Sequence, residues 1–407
     1  MPGIEAINAS NMALDTADRY ARNTGVAKAA PACFDVSATD RLDEVEADWR
    51  RLEAQGIESP GQSFDFISTW IEAFDIPEAD RKFIAVRHGG KPLVIMALHR
   101  TRSWGMQVWE TFPGGHVGTN APLVDTDGLS VLSPIERAAV WDAIAAQLSG
   151  AHMAYLCCIP EETGDIRLFD EFGLCVAADR LHRAQFVSWE QCDAEQRSRS
   201  RRKHDKQQGA KLTAMGDVTF EVLGAEDDVE DMLAQMFRQR SERFAQQGIA
   251  DPFASDVVQG FYRKAFQCGG ALKGRLHVLR LDGQVVAVRY NLIHGSRMFC
   301  LISSMSIAPE IQPGSPGKQC LLRVMQTEFD AGTTIFDMGS GLTDEKRHWC
   351  NVHIPMRHHY VPLTAWGHVF AQTHRAWQRF KVSLKSNKKL FALYKSWRIK
   401  VRGRSVG

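Results

Sequence analysis

The chain has 407 residues, 44% hydrophobic and 24% charged, with a formal net charge of +1. That length favours two domains, and that composition lets each bury a core; the near-zero balance excludes a chain that is cationic or acidic throughout, so any charge message lies in its distribution. The nine cysteines include no C-x-x-C pair, which argues against a zinc site and fits free thiols in a reducing compartment.

In chain order, residues 1–32 have Asn8, Asn11, Asp15, Asp18 and Arg19 interrupting every apolar run. They read as a flexible tail rather than a secretory signal. No stretch reaches membrane-spanning length, so a cytoplasmic location is expected. Residues 33–190 read as one α/β unit. Leu42, Val45, Trp49 and Leu52 predict a helix over 40–52, and Phe66, Ile67, Trp70, Ile71 and Phe74 another over 63–74. Strands are expected at 82–86 and 91–99, turning at Gly89-Gly90, and at 106–112, with a helix over 135–148 and a strand over 153–159. Residues 191–215 form a basic connector, in which seven of the fifteen residues from Arg197 to Lys211 are Lys or Arg. It reads equally as a solvated helix and as a phosphate-facing one.

Residues 216–365 form a second α/β unit. A helix is expected over 229–246. Strands at 276–281, 285–293 and 298–307 make an antiparallel meander, with Asp282-Gly283 as a type I′ turn signal. A loop over 308–316 leads into a helix over 317–329 and a strand over 335–338. The final segment, 366–407, is a basic amphipathic tail. From residue 351 onward there are twelve Lys and Arg and no Asp or Glu, and Trp377, Phe380, Leu384, Leu390, Phe391, Tyr394 and Trp397 interleave with the cations.

The strongest local signal is Gln312-Pro313-Gly314-Ser315-Pro316-Gly317-Lys318, after a strand and opening a helix. Glycines let backbone approach a ligand closely, and a helix N-terminus offers free N–H groups and partial positive charge to a pyrophosphate. Gln312, Gly314, Ser315, Gly317 and Lys318 are therefore the candidate cofactor-binding residues. A Walker loop, a dinucleotide fingerprint, a G-x-S-x-G elbow and an H-E-x-x-H metal motif are all missing.

Meander, glycine loop, helix and strand in that order resemble the acyl-CoA-binding core of GNAT acyltransferases. The chain also resembles the acetyltransferase-like family that includes CelD-type cellulose-biosynthesis proteins, related to FemAB aminoacyltransferases. The resemblance is carried by Ser315-Pro316-Gly317, by Phe336-Asp337-Met338-Gly339-Ser340-Gly341, by Lys346 with Trp349 three residues on, and by Arg240 and Arg243 in RQRSERF. Glu345 stands where that family has a Tyr. The resemblance spans roughly 35–365 and implies two tandem GNAT-like lobes with mixed, mostly antiparallel sheets and one active cleft. The loop Pro113–Gly118 is expected to border that cleft as a turn.

For acyl transfer to an amine, the base candidates are Asp337, Glu345 and His348. Lys346 is placed to pair with Asp337 or to hold a substrate anion. Tyr290, Ser304, Arg240 and Trp349 are candidates for substrate contact; Trp349 reads first as core packing, and His358-His359 as structural. The expected function is N-acyl transfer from acyl-CoA or an acyl carrier protein to an amine acceptor in polysaccharide or cell-envelope assembly. The alternative is a non-catalytic accessory protein of a polysaccharide synthesis complex. Nucleic acid is not an expected partner, since no such motif is present. The basic tail is expected to pack on its own lobe, meet a carrier protein, or contact an anionic inner membrane face.

Overall fold

A computed structural model describes residues 34–164 and 166–386. The tail expected over 1–32 and residues 387–407 of the basic tail lie outside the described residues. The first half opens with β1 (Phe34–Thr39). The helix expected over 40–52 divides into a 3-10 turn, Leu42–Val45, and α1 (Glu46–Glu53). In α2 (Phe64–Ala73), Phe66, Ile67, Trp70 and Ile71 make one buried stripe. β2 (Arg81–His88) and β3 (Lys91–Ser103) turn at Gly89-Gly90, both with positive φ, as a two-residue hairpin requires. β4 (Met106–Thr111), β5 (Leu123–Val124) and α3 (Thr126–Ser130) follow. Ser133 and Glu136 form a capping box around Pro134 and start α4 (Pro134–Ala146). β6 (Met153–Pro160) and β7 (Leu174–Gln185) complete this half.

The basic connector folds as α5 (Trp189–Gln196) and α6 (Arg199–Thr213). The second half repeats the plan: β8 (Val218–Gly224), α7 (Glu230–Gln247), α8 (Asp256–Phe266), β9 (Leu272–Leu281), β10 (Gln284–His294) and β11 (Arg297–Met305). Then come α9 (Pro316–Asp330), β12 (Ile335–Ser340), α10 (Asp344–Trp349), β13 (Val352–Pro362) and α11 (Ala365–Ser386).

All the strands join one sheet, in the order β1-β2-β3-β4-β6-β13-β7-β12-β11-β10-β9-β8, with β5 off the path against β3. Each half holds one parallel pair, β4 with β6 and β11 with β12, among antiparallel neighbours. The two halves exchange strands at the seam: β13 of the second lies between β6 and β7, and β7 of the first lies between β13 and β12. The largest core is also shared. Phe66 of α2 meets Phe261 of α8 edge-on with centroids 5.1 Å apart, and Trp70 meets the same ring at 4.8 Å. Separate cores lie under α4, under α9 and under α11.

Candidate functional site

The β10–β11 hairpin and α9 place the glycine loop. Gln312–Gly314 is one 3-10 turn, and Ser315 sits in the left-handed region at φ +50, which re-aims the chain into α9 with Pro316 as its first residue. The Ser315 carbonyl accepts from the N–H of Lys318 and of Gln319, and its hydroxyl accepts from Gln208 of α6 at 2.7 Å. Among the described residues no acceptor meets the Gly317 N–H.

Beside this loop lies a cavity of about 570 Å³, lined among others by Arg240, Arg243, Arg289, Ser304, Gln312, Ser315, Gly317, Lys318 and Glu345. Seven of its fifteen lining residues belong to the expected site set. Arg289 was not foreseen. It is buried in β10, and its Nη2 donates both to the Gly317 carbonyl at 3.2 Å and to Glu345 at 2.9 Å. Arg240 Nη1 donates to the Ser303 carbonyl at 3.2 Å, and burial pulls its affinity for the proton down. The Nε atoms of Arg240 and Arg289 are buried with no partner among the described residues. Unsatisfied buried guanidinium donors beside a helix N-terminus make an anion site in search of an anion.

The parallel ladder between β11 and β12 stops at Phe299–Asp337. Beyond it the strands part around a second cavity of about 200 Å³. From the second half it is lined by Cys300, Asp337, Gly339, Ser340 and Lys346, and from the first by Glu58, Gly115, His116 and Gly118. The Pro113–Gly118 loop thus reaches this cleft. Gly118 has room for no side chain without crowding, since a Cβ there would stand 3.2 Å from Gly339 Cα and 3.3 Å from an Asp337 oxygen.

A buried ion network crosses this junction. Asp337 accepts from Arg183 Nε at 2.9 Å and from the Gly339 N–H at 3.0 Å. Arg183 also reaches Glu58 at 2.5 Å, and Glu58 reaches Arg297 at 2.6 Å. Burial alone raises the Glu58 carboxyl, but the two guanidiniums outweigh it and hold it at about 2. The expected Asp337–Lys346 pair does not form, because Arg183 takes the carboxylate. Lys346 donates instead to the Ser340 carbonyl, and burial lowers its proton affinity. His116, its ring tilted against Trp70 with centroids 5.0 Å apart, has Nδ1 at 3.1 Å from the Tyr262 hydroxyl, and burial keeps its imidazole neutral to lower pH than usual.

The remaining expected residues lie outside the two cavities, and Ser304 is only at the edge of one. Gly314 faces α6, where a Cβ would meet Leu212 at 2.9 Å. Tyr290 is fully buried and donates to the Tyr262 carbonyl at 2.9 Å. Ser304 edges the larger cavity but spends its hydroxyl on Gln239 at 2.8 Å. His348 is exposed, its Nδ1 against the Asp344 carbonyl. Trp349 packs beside Trp189 under Arg197, and His359 is buried with Nδ1 at 2.7 Å from the Phe172 carbonyl. Arg183, Glu58, Arg289 and His116 were missed. Two left a signal in the sequence: Arg289 as a lone cation inside the apolar run Val285–Ile293, and His116 through the Pro113–Gly118 loop expected at the cleft.

Residues 199–347 match the model of the acetyltransferase (GNAT) domain. No curated protein sequence matches the chain. Among solved structures it is similar to the C-terminal domain of a protein described as a lysylphosphatidylglycerol synthetase from Agrobacterium fabrum, at 13% identity and TM-score 0.51, covering 82% of this chain and 95% of that one. It is also similar to FemX, at 11% identity and TM-score 0.50, covering 77% and 95%, and to a conserved protein of unknown function from Bacteroides thetaiotaomicron VPI-5482, at 10% identity and TM-score 0.50, covering 81% and 100%. At these identities the likeness is one of fold. Two interlaced lobes, each with one parallel pair, and a matched segment that takes in the glycine loop and the parted strands lead to one statement: residues 199–347 of this chain are similar to the GNAT acetyltransferase domain and lie within one sheet shared by both lobes.

Proposed function

We propose that this chain is an N-acyltransferase whose donor is acyl-CoA, or the equivalent phosphopantetheine arm of an acyl carrier protein. Its acceptor would be an amine in polysaccharide or cell-envelope assembly, as the CelD-type resemblance implies. The observation that carries this reading is the larger cavity: Arg240, Arg243, Arg289 and Lys318 converge on the opening of α9, which suits a pyrophosphate, and the neighbouring parted strands suit a thioester. The amine enters the smaller cavity. Its nitrogen attacks the thioester carbonyl, the C–N bond forms, the C–S bond breaks, and the amine proton passes through a base to the departing thiolate. Past Phe299 the backbone groups of β11 that face β12 have no partner strand, which fits them to receive the oxyanion.

Among the groups lining the smaller cavity, His116 is best suited as base. Both Asp337 oxygens are engaged, whereas a neutral imidazole donating Nδ1–H to Tyr262 leaves Nε2 free to accept. Lys346 then holds the donor or acceptor anion at the mouth. Calorimetric titration with acetyl-CoA, followed by thiol release with a panel of amines and amino sugars, tests the proposal. Absence of donor binding would sink it. Donor binding without thiol release on any amine would favour the accessory reading, which has one observation of its own: Asp337 and Glu345 are each tied to an arginine.

A further inference from the structure

α11 packs on the central strands by one face only. Ala371 is fully buried, Gly367 lies against the His152 carbonyl, and the His374 ring meets the Tyr360 hydroxyl at 2.9 Å. The outer face is not the polar surface expected of a helix facing water. Trp366 is 67% exposed, Val369 53%, Trp377 48% and Phe380 54%. At about 100° per residue these four fall within an arc of roughly 80°. Trp104, 49% exposed at the turn after β3, stacks on Phe370 of the same helix and extends the apolar surface. Scattered single apolar side chains need no explanation, but an apolar stripe of this length does, its arc broken only by Thr373 among the described residues and holding no charged side chain.

The charges beside the stripe indicate what covers it. Arg379 is exposed, and Lys381 stands 5.5 Å above the Trp377 ring. From residue 351 to the end the sequence has no acid, and seven Lys or Arg follow Ser386. Two copies of the stripe facing each other would bring these cations together with no acid from the same segment to offset them. Tryptophans with an apolar body and an N–H, flanked by cations, match the chemistry of a lipid headgroup region.

We propose that the outer face of α11 docks on an anionic lipid bilayer, with Trp366, Val369, Trp377 and Phe380 entering the headgroup layer and the basic residues holding its phosphates. Each cation near such a surface raises binding by roughly fivefold at low salt, and screening removes that gain. The test is co-sedimentation of the full chain with phosphatidylglycerol–phosphatidylcholine vesicles and with phosphatidylcholine alone, at low and high salt. Tryptophan emission and sedimentation velocity accompany it. The expected result is salt-sensitive binding to the anionic vesicles with a blue-shifted emission, weakened at least tenfold in Trp366→Ser/Trp377→Ser. The variant keeps its fold because both positions are exposed, and its circular dichroism checks that. Full-length chain left in the supernatant at low salt, or a double variant that binds like the parent, overturns the proposal. So does self-association that the double variant abolishes, which would assign the stripe to a second copy.

Discussion

Arg289 in β10 donates to Glu345 in α10 across 2.9 Å while the same nitrogen holds the Gly317 carbonyl at the opening of α9. One guanidinium therefore joins the meander, the donor helix and the segment after β12. The expected outcome of Arg289→Leu is at least a tenfold rise in the donor Kd, since a charged hydrogen bond contributes about 1.5–3 kcal/mol and Glu345 is left unpaired at the cavity wall. Glu345→Gln frees the guanidinium for the donor and leaves Kd unchanged or lower. Calorimetry with coenzyme A distinguishes the two.

Gly317→Asp puts a carboxylate at the anion site and a Cβ 2.8 Å from Met305 Sδ. A thioether shifts readily, so thermal stability falls only modestly while donor binding is lost. Normal binding in this variant would make the loop purely structural.

Arg183→Met removes the cation between Glu58 and Asp337; Glu58 keeps Arg297, and the buried Asp337 carboxylate is left without its guanidinium. Breaking a buried pair from one side costs about 3–5 kcal/mol, read as a large drop in Tm. Asp337→Asn keeps the Gly339 turn and loses one ion pair. It is expected to lower turnover more than donor affinity, and a change in Tm alone would leave Asp337 with no part in the reaction.

His116→Gln is expected to lower kcat about a hundredfold with little change in donor Kd, the scale of a lost general base. Because burial lowers the proton affinity of His116, the acid limb of the rate profile lies below the ordinary histidine value of 6.5. An acid limb unchanged in the variant would assign the proton to another group.

Burial pushes His99 and His359 each down to about 4. Both are neutral in the fold, and the unfolded chain takes up protons from 6.5 downward. Their contribution is complete above 6.5 and disappears as the pH falls toward 4, by on the order of 1–3 kcal/mol each. Urea midpoints measured across this window should fall with acidification, and less so in His99→Phe, where the titrating ring is gone.

The second half was the more legible. Leu321, Leu322, Met325 and Phe329 mark α9 by period, and Asp282-Gly283 marks the β9–β10 hairpin. β7 was not foreseen because Asp179, Arg180, His182 and Arg183 break its apolar alternation. Arg183 serves the ion pairs and His182 the His353 contact at the seam, while Asp179 and Arg180 are exposed. The cavity side of the donor loop was readable because glycine and proline have fixed backbone consequences. The contribution of Glu58 was not, because only the tertiary fold brings its loop to Asp337, and although the Pro113–Gly118 loop was expected at the cleft, the burial that sets His116 apart depends on Trp70 and Tyr262. The face on which Tyr290 lies depended on register, which a one-residue slip reverses.

The exchange of β7 and β13 has a consequence for the chain's integrity. A protease cut in the stretch between β7 and β8 would leave two pieces laced through one another. Neither could depart without first unzipping its borrowed strand, so the nicked molecule should run as one particle in a gel-filtration column until denaturant is added. The same interlacing is what a swapped pair of identical ancestors would keep after gene duplication joined them end to end.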